Sequence, residues 1–540
     1  MFAERPQLAG EWRMLTARLH ILPVTLVALL SVTLPAVAGP PSAADLAARI
    51  DQRLEALWRS AQITPAPAAN DGEFLRRVSL DIVGRIPRVA DVHQFLRDAS
   101  ADKRDRLVDL LLDDPRYAVH FANVWRAELV PEVTAHREAA AFQAGFEAWL
   151  QARLRAGVSY DRLVRELLTV PIASGKDGDS DARNDTPVLR DPTRPNPLAF
   201  FAVKEARPEN LAAAVSRTFL GIRLECAQCH NHPFAKWSQE QFWQQAAFFA
   251  GIERQGKGIF APLSEVADRR ELTPPERLGP QAAEFLDGTR PTWKVGQSSR
   301  VALAEWVTSP KNPYFARAAA NRLWAHFFGI GLVEPADDFR DDNPASDAET
   351  LEILTQSLVE SGFDLKHLIR GICRSRAYQR TSTWTHASQD TTALPARTTV
   401  KALTPEQLFD SLALATGYRD EQDKGAARRQ FSARFNLVGS RGEPETSVQQ
   451  ALTLLNGRFV TWATDPEANP TLIAVTQTPG MTLPERIEAL YLATLSRKPS
   501  AAEQERLLRR FEKAERPHEA QQLADVFWVL LNSAEFRLNH

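Results

Sequence analysis

Cys226, Cys229 and His230 stand together in the string ECAQCHNHPF, residues 225–234. Cys-x-x-Cys-His is the spacing at which two thiols reach the two vinyl groups of one porphyrin while the adjacent imidazole is carried under the iron. It predicts one covalent haem c, with Cys226 and Cys229 as thioether anchors and His230 as the proximal ligand. The chain has only three cysteines, and composition alone would produce this arrangement on the order of 2 times in 10,000. Two other chemistries use the same residues. In an oxidising compartment the pair could close a structural or redox disulfide, Cys226–Cys229. The strand-to-helix approach of a thioredoxin-like site is missing, since Leu211, Val215, Phe219 and Ile222 recur at helical spacing just before it. With His232, the motif could also ligate zinc, although a tetrahedral site in so short a stretch is sterically tight.

A low-spin haem needs a sixth ligand. Beyond residue 38 the chain holds one methionine, Met481, which follows Pro479-Gly480, and histidines that include His93, His120, His136, His232, His326 and His367. Of these, His232, His326 and Met481 are the candidates for a distal or secondary role, with His232 too close in sequence to reach the opposite haem face easily. Without a sixth ligand the iron would bind small molecules as well as carry electrons. The aromatic residues Phe234, Trp237, Phe242, Trp243, Phe248 and Phe249 suit a dry haem pocket and equally suit an amphipathic core helix over about 238–250.

A second cluster lies in residues 321–342: His326, Glu334, Asp337, Asp338, Asp341 and Asp342. Carboxylates at this density can hold a hard cation, but EF-hand spacing is absent, and Arg322 and Arg340 are placed to neutralise them. Cys373 falls in a predicted helix over 365–378 and reads as a small buried residue. No Gly-x-Ser-x-Gly elbow, phosphate-binding glycine loop or His-Glu-x-x-His zinc helix is present.

The elements that must position these residues are helical. The 540 residues are too many for one ordinary domain, and 44% hydrophobic with 24% charged residues is globular composition. A formal charge of −2, from 65 basic and 67 acidic residues, gives no field for a nucleic-acid backbone. Residues 1–38 read as a signal peptide: the apolar run 21–38 ends on Ala36-Val37-Ala38 before Gly39-Pro40-Pro41, with Met14 as an alternative start. No other stretch is long and apolar enough to span a membrane, so a periplasmic or otherwise exported protein with no membrane span after cleavage is expected. Helical spacing is clear over 73–83, where Phe74, Val78 and Ile82 share one face and Arg76 and Arg77 the other, and over 105–113. Capping boxes are predicted at Ser346/Glu349, Thr404/Gln407 and Ser500/Glu503. Residues 299–303 allow a short strand. The loop 173–197 and the weakly periodic segment 253–298 mark boundaries. The expected fold is mainly α: two helical domains, 44–252 and 299–540, joined by the long irregular connection 253–298, with little or no sheet.

The strings FLRRVSLDIVGRIP (74–87), RDRLVDLLLDDPRYAVHFANVW (104–125) and LGIRLECAQCHNHPFAKWSQEQFWQQAAFFAG (220–251) resemble the planctomycete cytochrome C-type domain, a domain of unknown function. Residues 303–344, 364–382 and the ending LYLATLSRKPS…VLLNSAEFRLNH resemble its usual companion, the PSD-type domain. The resemblance implies at most one haem here, because the additional N-terminal haem module of some relatives is absent. It also implies association with sulfatase-like exported proteins, hence with polysaccharide metabolism, and it leaves room for a role of Asn231-His232-Pro233-Phe234 apart from haem. Three functions follow: periplasmic electron transfer with a redox partner, a haem-free binding or scaffold role with the cysteines as a disulfide, and a metal-dependent enzyme of polysaccharide breakdown using His326 and the 334–342 carboxylates.

Overall fold

In the computed structural model, residues 42–174, 191–275, 279–390, 394–419, 426–435, 462–512 and 519–540 are described. The signal-peptide region and most of the 173–197 loop lie outside them.

Helices begin where the sequence can satisfy their first N–H groups. Ser42 and Asp45 form a capping box for the first helix, Ala43–Ser60, and Asn70 caps Asp71–Val83. Thr404 and Gln407 cap Pro405–Thr416 as expected, and Ser500 exchanges hydrogen bonds with Glu503. At the third predicted box the cap falls one residue later: Asp347 accepts from Thr350 N at the start of Ala348–Glu360. A carboxylate competes well for that position because it also meets the positive end of the helix. The strand allowed at 299–303 is a helix, Ser299–Val307, capped by Ser298. Only Val301 in that stretch is β-branched, and the residues after it are helix formers.

The fold is mainly α. Among the described residues the sheets are a three-stranded patch (173–174, 263–265, 252–254) and two two-residue pairings, Glu271–Leu272 with Gln281–Ala282 and Lys401–Ala402 with Leu538–Asn539. The segment 253–298 therefore holds short strand pieces between turns.

Residues 40–540 form one unit. The main hydrophobic core runs from Leu46 through Tyr378 and includes Leu492; a second is built from Leu408, Leu412, Leu472, Leu490, Leu523, Phe527 and Phe536 with their neighbours. The first helix packs against Ala348–Glu360 and Leu365–Arg374, so the two halves of the sequence interlock. Helix Asp71–Val83 belongs to both cores: Phe74, Val78 and Ile82 enter the first, Leu80 the second.

That helix also departs from the amphipathic expectation. Arg76 and Arg77 are both 0% exposed. Arg76 donates to the carbonyls of Thr494, Glu535 and Phe536, and Arg77 to those of Tyr378, Arg380 and His540 and to the Glu73 carboxylate. Burying a guanidinium is costly unless its donors are matched, and here carbonyls more than 300 positions away take all but the Arg76 Nε–H and the Arg77 bond to Glu73.

Candidate functional site

The segment leading to the cysteines is shaped by Gly221. Helix Pro208–Val215 widens into one π turn, Ser216–Leu220, and stops at Gly221 with φ of +68°. A Cβ at this position would lie 2.3 Å from the Phe339 ring, and the Phe339 backbone N–H donates to the Gly221 carbonyl. Glycine is required here by conformation and by contact. Ile222 and Leu224 are then buried, and a 3-10 turn, Glu225–Gln228, brings the motif to the surface.

Cys226 and Cys229 are exposed free thiols. The loop beneath them is pinned by the next helix, Gln239–Ala246. Gln239 donates from its side chain to the carbonyls of Gln228 and Cys229 and from its backbone to Asn231 Oδ1, while Trp243 Nε1 donates to Gln228 O at 3.1 Å. Ser238 and Gln241 form a capping box at the start of that helix. Neither Gln239 nor Trp243 was singled out by the sequence as a loop anchor; the available signal was a helix start placed only ten residues after Cys229.

The two histidines differ in what they can offer a metal. His230 is exposed, and its Nδ1–H donates to the Asn231 carbonyl at 2.7 Å. A carbonyl can only accept, so the proton sits on Nδ1 and the Nε2 lone pair is left for a ligand. His232 Nδ1 instead accepts from Phe234 N at 3.1 Å, which places the proton of the neutral ring on Nε2. The adjacent backbone bond from His232 N to Trp237 O holds this turn.

Two accessible thiols and a neighbouring imidazole with its Nε2 lone pair available, the groups that a covalent haem would need, are present. A surrounding wall is not: Trp237, Phe242, Trp243, Phe248 and Phe249 are buried in the main core, and only Phe234, 70% exposed, remains beside the motif. The core-helix reading of residues 238–250 accounts for Phe242, Trp243, Phe248 and Phe249. Cys226, Cys229 and His230 could hold a haem, and among the described residues no aromatic wall would enclose it.

The other predicted site residues lie elsewhere. His326 Nε2–H donates to the Asp81 carbonyl, and its ring packs with His120, Phe121 and Phe327. Met481 is partly exposed ahead of helix Leu483–Leu495, and its carbonyl accepts from Arg486. The carboxylates are committed to hydrogen bonds and ion pairs: Asp337 with Arg223, Asp338 and Asp342 with Arg340, while Glu334 accepts from Gly331 N. Asp341 is exposed. Arg322, expected to neutralise this cluster, pairs with Glu128. Among the described residues no group of three or more His, Cys, Asp or Glu side chains is arranged to hold a metal ion. Cys373 is buried, and burial pushes its thiol well above the ordinary range.

Two family models match the chain. Residues 49–254 match PSCyt2, a protein of unknown function (DUF1549), and residues 299–441 match PSD1, a protein of unknown function (DUF1553). The chain belongs to the proteins that carry these two domains in this order. No curated protein matches it. No solved structure matches it. No helix among the described residues is long and apolar enough to cross a membrane.

Proposed function

We propose that this is an exported protein of the cell envelope that holds one c-type haem through Cys226, Cys229 and His230 and serves in electron transfer with a periplasmic partner. The observation that carries the reading is the state of the loop: both thiols exposed and unpaired, and the His230 proton fixed on Nδ1. Cys226 and Cys229 would hold it through thioethers and His230 Nε2 would ligate its iron. When bound, the haem supplies a one-electron couple. The chain's own contribution is a loop held rigid by Gln239 and Trp243 and an open face beside Phe234, where a partner can approach. The N-terminal apolar run supports delivery to the compartment in which such haems are attached.

The test is expression with export in a host whose cytochrome c maturation machinery is active, followed by a haem-stained denaturing gel and a pyridine haemochrome spectrum. Haem that survives denaturation, and is lost in Cys226→Ser with Cys229→Ser, is the expected result. A colourless full-length protein in a host that matures a control cytochrome overturns it, and the redox state of the two thiols then decides for or against a disulfide. N-terminal sequencing of the exported product should begin at Gly39.

A further inference from the structure

A surface cleft of about 180 Å³ opens between the start of helix Asp71–Val83, the turn that ends helix Leu483–Leu495 and the loop 382–390. It suits a single sugar ring rather than a drug-sized molecule. Asn70, Ser382, Thr383, Arg497, Glu535 and His540 are among its lining residues.

The charges at this wall balance one another. Arg497 holds Glu503 and Glu535, Arg77 holds Glu73, and the buried Arg76 lies in the field of Glu535. Burial lowers the His540 imidazole below its usual pKa, so that ring is largely neutral at ordinary pH. Neutral polar groups remain available. Among the described residues the Ser382 hydroxyl makes no hydrogen bond, and Asn70 uses only its Oδ1, which accepts from Glu73 N. Such a wall favours an uncharged ligand with hydroxyl groups over an ion.

Trp384 follows Thr383 and is 54% exposed. A lone exposed apolar side chain needs no explanation by itself, but this one is held in place. Its Nε1–H donates to Asp390 Oδ1 at 2.9 Å. The loop beneath is organised by the buried Gln389, whose amide oxygen accepts from Thr385 N and His386 N and whose nitrogen donates to Thr64 O and Thr385 Oγ1. His386 Nδ1 accepts from Ser388 N, which leaves a donor at Nε2 of the neutral ring. The exposed neighbours Thr383, Thr385, His386 and Asp390 are all polar.

The indole is thus a fixed apolar ring, its N–H already satisfied, in a polar surround beside a charge-balanced cleft. The CH groups on one face of a pyranose form an apolar patch that lies flat on such a ring, while the hydroxyls at its rim need donors and acceptors together. A protein partner needs a wider apolar centre.

We infer that this face binds a neutral pyranose glycan, with one sugar ring on the Trp384 indole and its neighbour in the cleft at Ser382 and Thr383.

The test is calorimetric titration of the full chain with cellohexaose, mannohexaose and galactohexaose, and with sorbitol, which has hydroxyls but no ring face to stack. The expected result is binding of at least one hexasaccharide, none of sorbitol at the same concentration, and no loss in moderate salt. Trp384→Ala should weaken binding at least about tenfold, and Ser382→Ala, which keeps the backbone bond to Glu73, by about threefold. Circular dichroism checks that the variants are folded; if Trp384→Ala is not, Trp384→Phe and Ser382→Ala carry the comparison. Failure of all three hexasaccharides at about 5 mM, equal affinity for sorbitol, or affinity unchanged in the folded variants overturns the inference. Tetramethylammonium binding that needs Trp384, without sugar binding, assigns the ring to a cation and overturns it. Self-association that disappears in Trp384→Ala, again without sugar binding, overturns it in favour of a protein contact. None of these outcomes depends on the haem.

Discussion

The Lys401 ammonium donates to the buried Asp81 carboxylate at 2.7 Å, joining a residue of the PSCyt2 segment to one of the PSD1 segment. The same carboxylate accepts from Asn539 and from the Tyr378 hydroxyl, and Lys401 also reaches the carbonyls of His326 and Phe327. Every strong donor in this node comes from more than 290 positions away along the chain.

Removing one side of that node leaves the other charge uncompensated. Lys401→Met should lower folding stability by about 3 kcal/mol, measured by urea unfolding. The double change Lys401→Met with Asp81→Asn should cost less than the sum of the single changes, because the two side chains share one interaction.

Arg76 is the second long-range clamp. Arg76→Met keeps much of its packing and loses three hydrogen bonds to carbonyls, leaving buried acceptors unmatched. A loss of about 2–4 kcal/mol is expected, and hydrogen exchange should quicken first around residues 494 and 535–536 if the clamp acts where the geometry places it.

Acid should destabilise the protein through His120. Burial, assisted by His326 and Lys401 and opposed by Asp81, holds its folded pKa near 3, against about 6.5 in the unfolded chain. The unfolded state takes up the proton first, so this stability is complete above pH 6.5 and is lost as pH falls towards 3. Between pH 6.5 and about 4.5 the slope from this group approaches 1.4 kcal/mol per pH unit. Burial also lowers His367 and His540 and adds slope of the same sign. His120→Gln should flatten the stability–pH curve in this window relative to wild type; parallel curves would refute the assignment.

Thiol labelling should divide the cysteines in two classes. In haem-free protein, Cys226 and Cys229 should react with an aromatic disulfide reagent under native reducing-then-desalted conditions, and Cys373 only in denaturant. Gln239→Ala removes the tie to the Gln228 and Cys229 carbonyls and should accelerate the first class with a stability loss of about 1 kcal/mol.

Gly221→Ala sets a Cβ against Phe339 at a positive φ. A cost of about 2–3 kcal/mol is expected, and the thiols beyond it should label faster because their approach segment shifts.

Much of this was legible from local pattern. Thr404-Pro405 with Gln407 and Ser500 with Glu503 announced their helices because capping is a matter of three adjacent positions. The cysteine motif was equally plain. What stayed hidden depends on distant partners. Arg76 and Arg77 looked like a solvent-facing edge, since nothing within a few residues reveals the carbonyls that take them inside. Arg322 and Arg340 stand close to the same acidic stretch, yet only Arg340 joins it; Glu128 claims the other. The aromatics after the motif were readable as a group, but whether they faced a cofactor or the core was decided by the packing of Gln239–Ala246 on helix Pro208–Val215 and on the strand pieces of the 253–298 segment.

The separations in the Arg76 and Arg77 bonds, from 301 to 463 positions apart from the local Glu73 contact, also order events in time. A chain released N-terminus first exposes the Asp71–Val83 segment long before its acceptors exist. Two guanidinium groups then oppose premature burial of that helix, since no early segment can match them. The early segment is thereby biased towards remaining open until the last strand, Leu538–Asn539, arrives to pair with Lys401–Ala402. The burial of Arg76 is in this way tied to the folding of residues 494–536, which carry its acceptors.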